Sequence, residues 1–323
     1  MQLNIKLSKK CDPHILLNKI SALPEIFFAP NFQLKAINLG RMNYINFNGR
    51  IVEAQAAIIA ADNRGLRYGD GLFETIKFKN NELILIDEHF SRLWKGMQLL
   101  KFDIPKLFTP DSLQQQILQL VKKNKHTAAR IRLAVIRGNG GLYDAANHHP
   151  IFIIQSWPIA DNTAQLNENG LQLCIYPDAK KATDSFCNIK HNNYLPYLMG
   201  ALFAKQQQCN DAIILNDHGR VCDSTIANIF MIKDGSIFTP SLAEGCVAGI
   251  MRKFILQELS LLEYTVIETA ITIDDLLDAD EIFLSNSMYN IRWVAALEGK
   301  HFANSTSKKI FDSLSKTKPL VFC

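Results

Sequence analysis

Short runs of alternating apolar and polar residues, separated by turn-forming pairs, dominate the chain from Met42 onward. "YINF" and "RIVEA" flank Asn48-Gly49, a pair that tolerates left-handed backbone and is the strongest short hairpin signal. "LFETIKF" and "ELILI" flank Asn80-Asn81, "IANIFMIK" and "SIFTP" flank Asp234-Gly235, and a last hairpin runs through "LEGK". The period lengthens at Phe90, Leu93, Trp94, Met97 and Leu100, which predicts a helix with Asp87 as its N-cap. "TPDSLQQQILQLVKKN" predicts a second helix with Pro110 in its first turn. "ARIRLAVIRG" and "PIFIIQSWPI" predict strands on either side of the loop "GNGGLYDAANHH". Further on come a strand "LQLCIYP", a helix near 194–208, a strand "DAIILN", a helix from Gly249 to Leu262, and strands "YTVIETAIT" and "EIFLSNS".

Strands and helices alternate irregularly and hairpins are frequent, so the expected fold class is α+β with two domains, not a single parallel sheet. The polar stretch "ADNTAQLNENG" (160–170) is the expected linker. It divides a small α+β domain at 42–159 from a larger domain at 171–323. Residues 1–41 look unlike the rest of the chain and are expected to be an extension dispensable for catalysis.

The length of 323 residues is enough for two cores. Hydrophobic residues make up 48% and charged ones 20%, as in ordinary globular proteins. The net charge of +4 comes without a dense basic block, which argues against nucleic acid as partner and is compatible with a small anion. No apolar run reaches the length of a membrane span, so no membrane partner is expected. The seven cysteines are scattered without a CxxC pair, against a disulfide framework or zinc site. They favour a reducing, cytoplasmic location. His148-His149 lacks a spaced carboxylate or cysteine partner, so no metal is expected.

One lysine stands out. Lys190, in "SFCNIKHNNYLPYL", lies within a polar cluster between two apolar segments. A surface lysine titrates near 10.4 and is a poor nucleophile at neutral pH; burial or a nearby cation lowers that value and frees the amine for Schiff-base chemistry. A carbonyl cofactor of the pyridoxal phosphate type also needs an acid for its ring nitrogen and an anion cradle for its phosphate. Asp223 precedes an apolar strand, and Ala248-Gly249 opens a helix whose first amides can bind phosphate. Taken singly, Asp223 reads better as a turn cap, Arg92 as a solvated helix residue and "VAGIM" as a tight packing turn.

Seven stretches in order, "YGDGLFET", "HFSRL", "RGNGG", "IKHNNYL", "DSTIANIF", "VAGIMR" and "FLSNS", resemble the fold-type IV pyridoxal phosphate enzymes. That family holds branched-chain aminotransferases, D-amino acid aminotransferases and 4-amino-4-deoxychorismate lyases. The resemblance runs from about Met42 to the end. It implies pyridoxal 5'-phosphate as cofactor, a small N-terminal α/β domain, a larger mixed β domain with helices, and a homodimer in which one small domain helps close the other subunit's pocket. It implies that Lys190 forms the Schiff base and moves the substrate proton. Arg92 would bind the phosphate with the amides of Gly249 and Ile250 and the Ser287 hydroxyl. Asp223, where the family usually has glutamate, would pair with the ring nitrogen, flanked by Asn228, and Tyr194 would meet the ring hydroxyl. Because aspartate is one methylene shorter, the ring must sit closer or a water must intervene.

The reaction is read from smaller differences. The D-enzymes trap the substrate carboxylate with an Arg-x-His pair, and Leu142 and Asp144 stand at the corresponding positions here. Asn193, three residues after Lys190, follows the lyase and D-enzyme spacing. "RGNGG", "VAGIMRKF" and Asn286 resemble the lyases. The expected reaction is therefore loss of pyruvate from aminodeoxychorismate to give 4-aminobenzoate, with a branched-chain or D-amino acid transaminase, or a non-catalytic cofactor-binding relative, as alternatives. Such a small amino substrate carries two carboxylates. Arg137 is the first expected binder and Arg292 the second, with Phe73, Asn286 and Met288 lining the pocket.

Overall fold

A computed structural model describes residues 43–144 and 147–322, so the expectation for 1–41 lies outside the described residues. Strands β1 (Tyr44–Phe47), β2 (Arg50–Glu53), β3 (Gly71–Lys79), β4 (Glu82–Leu83), β5 (Ala129–Arg137) and β6 (Pro150–Pro158) form one antiparallel sheet in the order β2-β1-β6-β5-β3-β4. Successive side chains point to opposite faces. On β3, Leu72, Ile76 and Phe78 meet the apolar faces of helices Ile86–Leu99 and Pro110–Lys123, where Phe90, Leu93, Met97, Leu113, Ile117 and Leu120 complete the core. Phe73 and Thr75 point the other way, as do Arg130 and Arg132 on β5, because Thr75 pairs with Arg132 and Phe73 with Ala134. That second face is where the site lies.

The second sheet holds β7 (Leu171–Lys181), β8 (Asp211–Asn216), β9 (Val221–Ser224), β10 (Asn228–Lys233), β11 (Ser236–Pro240), β12 (Val266–Thr269), β13 (Glu281–Asn286), β14 (Asn290–Leu297) and β15 (Lys300–His301). It runs β12-β11-β10-β13-β14-β7-β8-β9, with β15 on β14. The pairs β11–β12, β14–β7 and β7–β8 are parallel, so the sheet is mixed. Its centre is apolar on both faces. Phe230 stacks on Phe283 at 4.7 Å beneath helices Ile250–Leu261 and Ser305–Thr317, while Ile229, Met231 and Leu284 fill the opposite core. Each such fully buried side chain contributes about 2 kcal/mol of transfer free energy.

The four expected hairpin turns occur, and each has two successive residues in the left-handed region: Asn48-Gly49, Asn80-Asn81, Asp234-Gly235 and Glu298-Gly299. One cap differs. Helix Ile86–Leu99 begins behind Leu85, itself left-handed at φ 54°, and Asp87 falls in the first turn, where its charge faces the helix dipole. Residues 160–170 carry a 3-10 turn at Asp161–Ala164 and are tied to β14 by Asn167, which hydrogen-bonds the Trp293 backbone in both directions. Helices Ile273–Asp278 and Ser305–Thr317 are not apparent in the apolar pattern. Among the described residues no helix is long and apolar enough to cross a membrane.

Candidate active site

The segment carrying Lys190 is fastened to β3 through its backbone. Phe73 N–H donates to Lys190 O at 2.9 Å and Asn192 N–H to Gly71 O at 2.9 Å. Residue 71 must be glycine for this approach, since a Cβ there would lie 2.4 Å from Val135 O. The Lys190 Nζ is thereby held 4.7 Å from the Phe73 ring centre, 5.2 Å from the Tyr194 ring centre and 3.3 Å from Tyr194 OH. Burial, reinforced by the Arg92 charge, lowers the amine to about 8, although Glu74 and Asp223 pull the other way. Burial pushes the Tyr194 phenol up, so it stays protonated.

Arg92 extends from helix Ile86–Leu99 and is fixed on two sides. Its Nε and Nη2 donate to Glu74 at 2.8 and 2.5 Å, and its Nη1 to Ala248 O at 2.8 Å. Glu74 is fully buried and also takes the Nδ1 of His89 at 2.6 Å. Its burial favours the neutral acid, but Arg92 and His89 outweigh that and hold the carboxyl at about 2. Arg92 therefore stands over the turn 247–249, where helix Ile250–Leu261 begins without a side-chain cap. Its amides from Ile250 onward are among the orphan donors of a helix start, whereas the Gly249 N–H, expected to share in phosphate binding, donates to Val247 O at 2.7 Å. Gly249 is required by crowding: a Cβ there would come 1.9 Å from Asn228 Oδ1. The Ser287 hydroxyl, on the turn after β13, makes no hydrogen bond to a described residue. A cation, uncapped amides and an uncommitted hydroxyl fit a phosphate.

Asp223 on β9 is buried and heavily supported. Its Oδ2 accepts from Tyr197 OH at 2.8 Å and Val247 N–H at 3.0 Å, with Lys181 Nζ at 3.5 Å. Its Oδ1 accepts only from Asn228 Nδ2, at 2.9 Å, and that amide also reaches Val247 O. A carboxylate offers about two acceptor positions per oxygen. Oδ2 is thus saturated and Oδ1 keeps one position, which fits a protonated ring nitrogen. The residues present accordingly fit pyridoxal phosphate at both ends.

Other expected residues are placed differently. Arg137 is buried and spent on the fold: Nε donates to Asp70 at 2.8 Å, Nη2 to Leu100 O at 2.6 Å and Nη1 to Lys101 O at 3.3 Å. With its plane 4.3 Å over Phe102, it clamps the loop after helix Ile86–Leu99 and is not free for a substrate. Its position at the end of β5, beyond the alternating stretch, is the physical reason. Arg292 donates to Thr163 O at 2.9 Å. Asn286 spends its amide on Ile226 O and on the Met288 and Tyr289 N–H groups, so it shapes the turn that carries Met288.

The arginines on the site face are Arg130 and Arg132. Arg132 lies 4.6 Å over Phe73, the same ring that Lys190 approaches. Arg130 acts through its charge on both Lys190 and Tyr194. Neither has a carboxylate partner among the described residues, and burial draws both below the ordinary arginine value. The alternation in "ARIRLA", two arginines interleaved with apolar residues, was a legible signal for a shared face. Glu74, Lys181 and Tyr197 also went unassigned from the sequence.

Comparison with known proteins points to one family and one fold. The sequence model described as amino-transferase class IV matches residues 71–297. An aminodeoxychorismate lyase of Vibrio harveyi is 28% identical over 235 residues, 73% of this chain and 86% of that one. A D-alanine aminotransferase of Bacillus licheniformis is 29% identical over 258 residues, 79% of this chain and 88% of that one. The crystal structure of a branched-chain aminotransferase from Thermoproteus uzoniensis superposes with a TM-score of 0.78 at 23% identity, covering 85% of this chain and 94% of the other, and establishes the fold.

Proposed function

This chain belongs to the class IV aminotransferases, enzymes that use pyridoxal 5'-phosphate, and from that premise we propose that it is a 4-amino-4-deoxychorismate lyase. The observation that carries the reading is the pair Arg130 and Arg132 beside Phe73 and Lys190. Two cations without carboxylate partners suit a substrate with two carboxylates, and charge-assisted contacts to such groups are the strong ones.

When bound, the cofactor supplies a carbonyl for the substrate amine and a ring that accepts electrons. Arg92, the Ile250 amide and the Ser287 hydroxyl would hold its phosphate. Asp223, through Oδ1, would hold the proton on its ring nitrogen. Arg130 and Arg132 grip the substrate carboxylates and orient the ring so that one C–H faces Lys190. Lys190 Nζ takes that proton, a role its lowered basicity suits near neutral pH. Tyr194, 3.3 Å away, keeps the amine directed at the pocket. Loss of pyruvate leaves 4-aminobenzoate, a folate precursor.

The second reading, a transaminase, is supported by the branched-chain and D-alanine relatives and uses the same phosphate and ring contacts. A homodimer is part of the proposal. Leu195, Leu198, Met199 and Leu202 form an exposed apolar stripe on helix Leu195–Gln206, of a kind that a second subunit covers. The five described cysteines are all free thiols, which supports a cytoplasmic setting.

The test is the visible spectrum of the purified protein with L-leucine, D-alanine or aminodeoxychorismate in separate cuvettes. The lyase keeps its band with both amino acids and forms 4-aminobenzoate and pyruvate from aminodeoxychorismate. Bleaching by either amino acid makes it a transaminase. Lys190→Ala loses the band.

A further inference from the structure

Lys181 closes β7, and only 8% of its side chain is exposed. Its Nζ lies 3.5 Å from Oδ2 of Asp223 and 5.3 Å from the centre of the Tyr197 ring. The Asp223 side chain is 3% exposed. Burying both charges is costly unless good geometry and further hydrogen bonds offset it. Three neutral donors, Tyr197 OH, Val247 N–H and Asn228 Nδ2, provide those bonds.

The phenols and thiols facing this carboxylate, Tyr194 among them, stay protonated, and the His191 imidazole beside Lys181 is lowered by burial. Burial, with the Asp223 charge, pushes the Tyr197 phenol well up. The Cys222 thiol, 3.9 Å from Oδ2, is pushed up by burial in the same way. Cys246 is raised to about 12 and Cys187 is raised as well, both chiefly by burial. Lys190 acts on Asp223 through space, without contact. Among the described residues Lys181 is therefore the one cation that touches Asp223.

We propose that Lys181 is a positioning residue that pins Asp223 by Oδ2, so that Oδ1 is presented to the cofactor ring nitrogen. Aspartate has one torsion fewer than glutamate with which to adjust. The anchors on Oδ2 consequently decide which oxygen faces the ring, and Lys181 with Tyr197 supplies them from the far side of the carboxylate. The proposal rests on the reading of Asp223 as the ring-nitrogen acid.

The ¹⁵N resonance of the labelled ring nitrogen in the full-length holoenzyme tests it. In Lys181→Gln the resonance moves away from its wild-type position, Lys181→Arg restores it, and Tyr197→Phe gives a smaller displacement. An unmoved resonance in a folded, cofactor-loaded Lys181→Gln overturns the proposal. The same resonance in Asp223→Asn holoenzyme examines the underlying reading separately. A resonance unmoved from wild type there removes Asp223 from the ring, whatever the Lys181 variants show.

Discussion

The Lys190 amine differs from a surface amine because its surroundings are dry and Arg92 is near, which lowers it to about 8. A lowered value means the neutral, nucleophilic form predominates above that pH. The rate at which cofactor-free protein captures pyridoxal phosphate, followed by stopped-flow absorbance, is expected to rise with pH and level off just above 8. A solvated lysine would level off near 10.4. The pocket arginines make a second residue-scale prediction. If the proposed dicarboxylate is the substrate, Arg132→Met is expected to raise its KM roughly ten- to a hundredfold, the loss of about 1.5–3 kcal/mol for a charged hydrogen bond. Arg137→Met, by contrast, is expected to lower the melting temperature and leave KM unchanged, because its donors hold Asp70 and the Leu100–Lys101 backbone. Steady-state kinetics beside thermal denaturation separates the two. Lys190, Arg92 and Asp223 were legible in the sequence because each sits in a short ordered motif. Lys181 and Tyr197 were not, since nothing local marks a partner 42 or 26 residues away.

At the scale of elements, the site depends on one helix start. Helix Ile250–Leu261 can begin beside Asn228 because residue 249 has no side chain to occupy the space taken by that residue. Its φ of −64° suits any residue, so crowding alone demands glycine there. Gly249→Ala is expected to push Asn228 off Asp223 and Val247, at a cost of about 1–3 kcal/mol. Cofactor affinity falls roughly tenfold or more, measured by fluorescence titration. The hairpins and the two helices of the first sheet followed from apolar periodicity and turn residues. The cap at Leu85 did not, because a left-handed leucine leaves no compositional mark.

For the whole molecule, the exposed apolar stripe on helix Leu195–Gln206 is the surface on which the proposed dimer is tested. The wild type is expected to sediment at twice the 36.5 kDa chain mass, and Leu198→Glu with Leu202→Glu to sediment at the single mass. A wild type already at the single mass removes the dimer from the proposed function. The sequence by itself determined the α+β class, the family and the cofactor, and singled out Lys190 as the candidate Schiff-base lysine, because periodicity, turn chemistry and ordered motifs are local and survive in one dimension. Only the tertiary structure decided which arginines reach the pocket. Arg130 and Arg132 face Lys190 since strand alternation and the β3–β5 register put them on the Phe73 face, whereas Arg137 is captured by Asp70 at the strand end. The electrostatic setting of Asp223 was likewise a tertiary matter, because it is assembled from β7, β9, β10, the turn 247–249 and helix Leu195–Gln206. A buried charge is governed by the distances that burial creates, and those distances are set by folding.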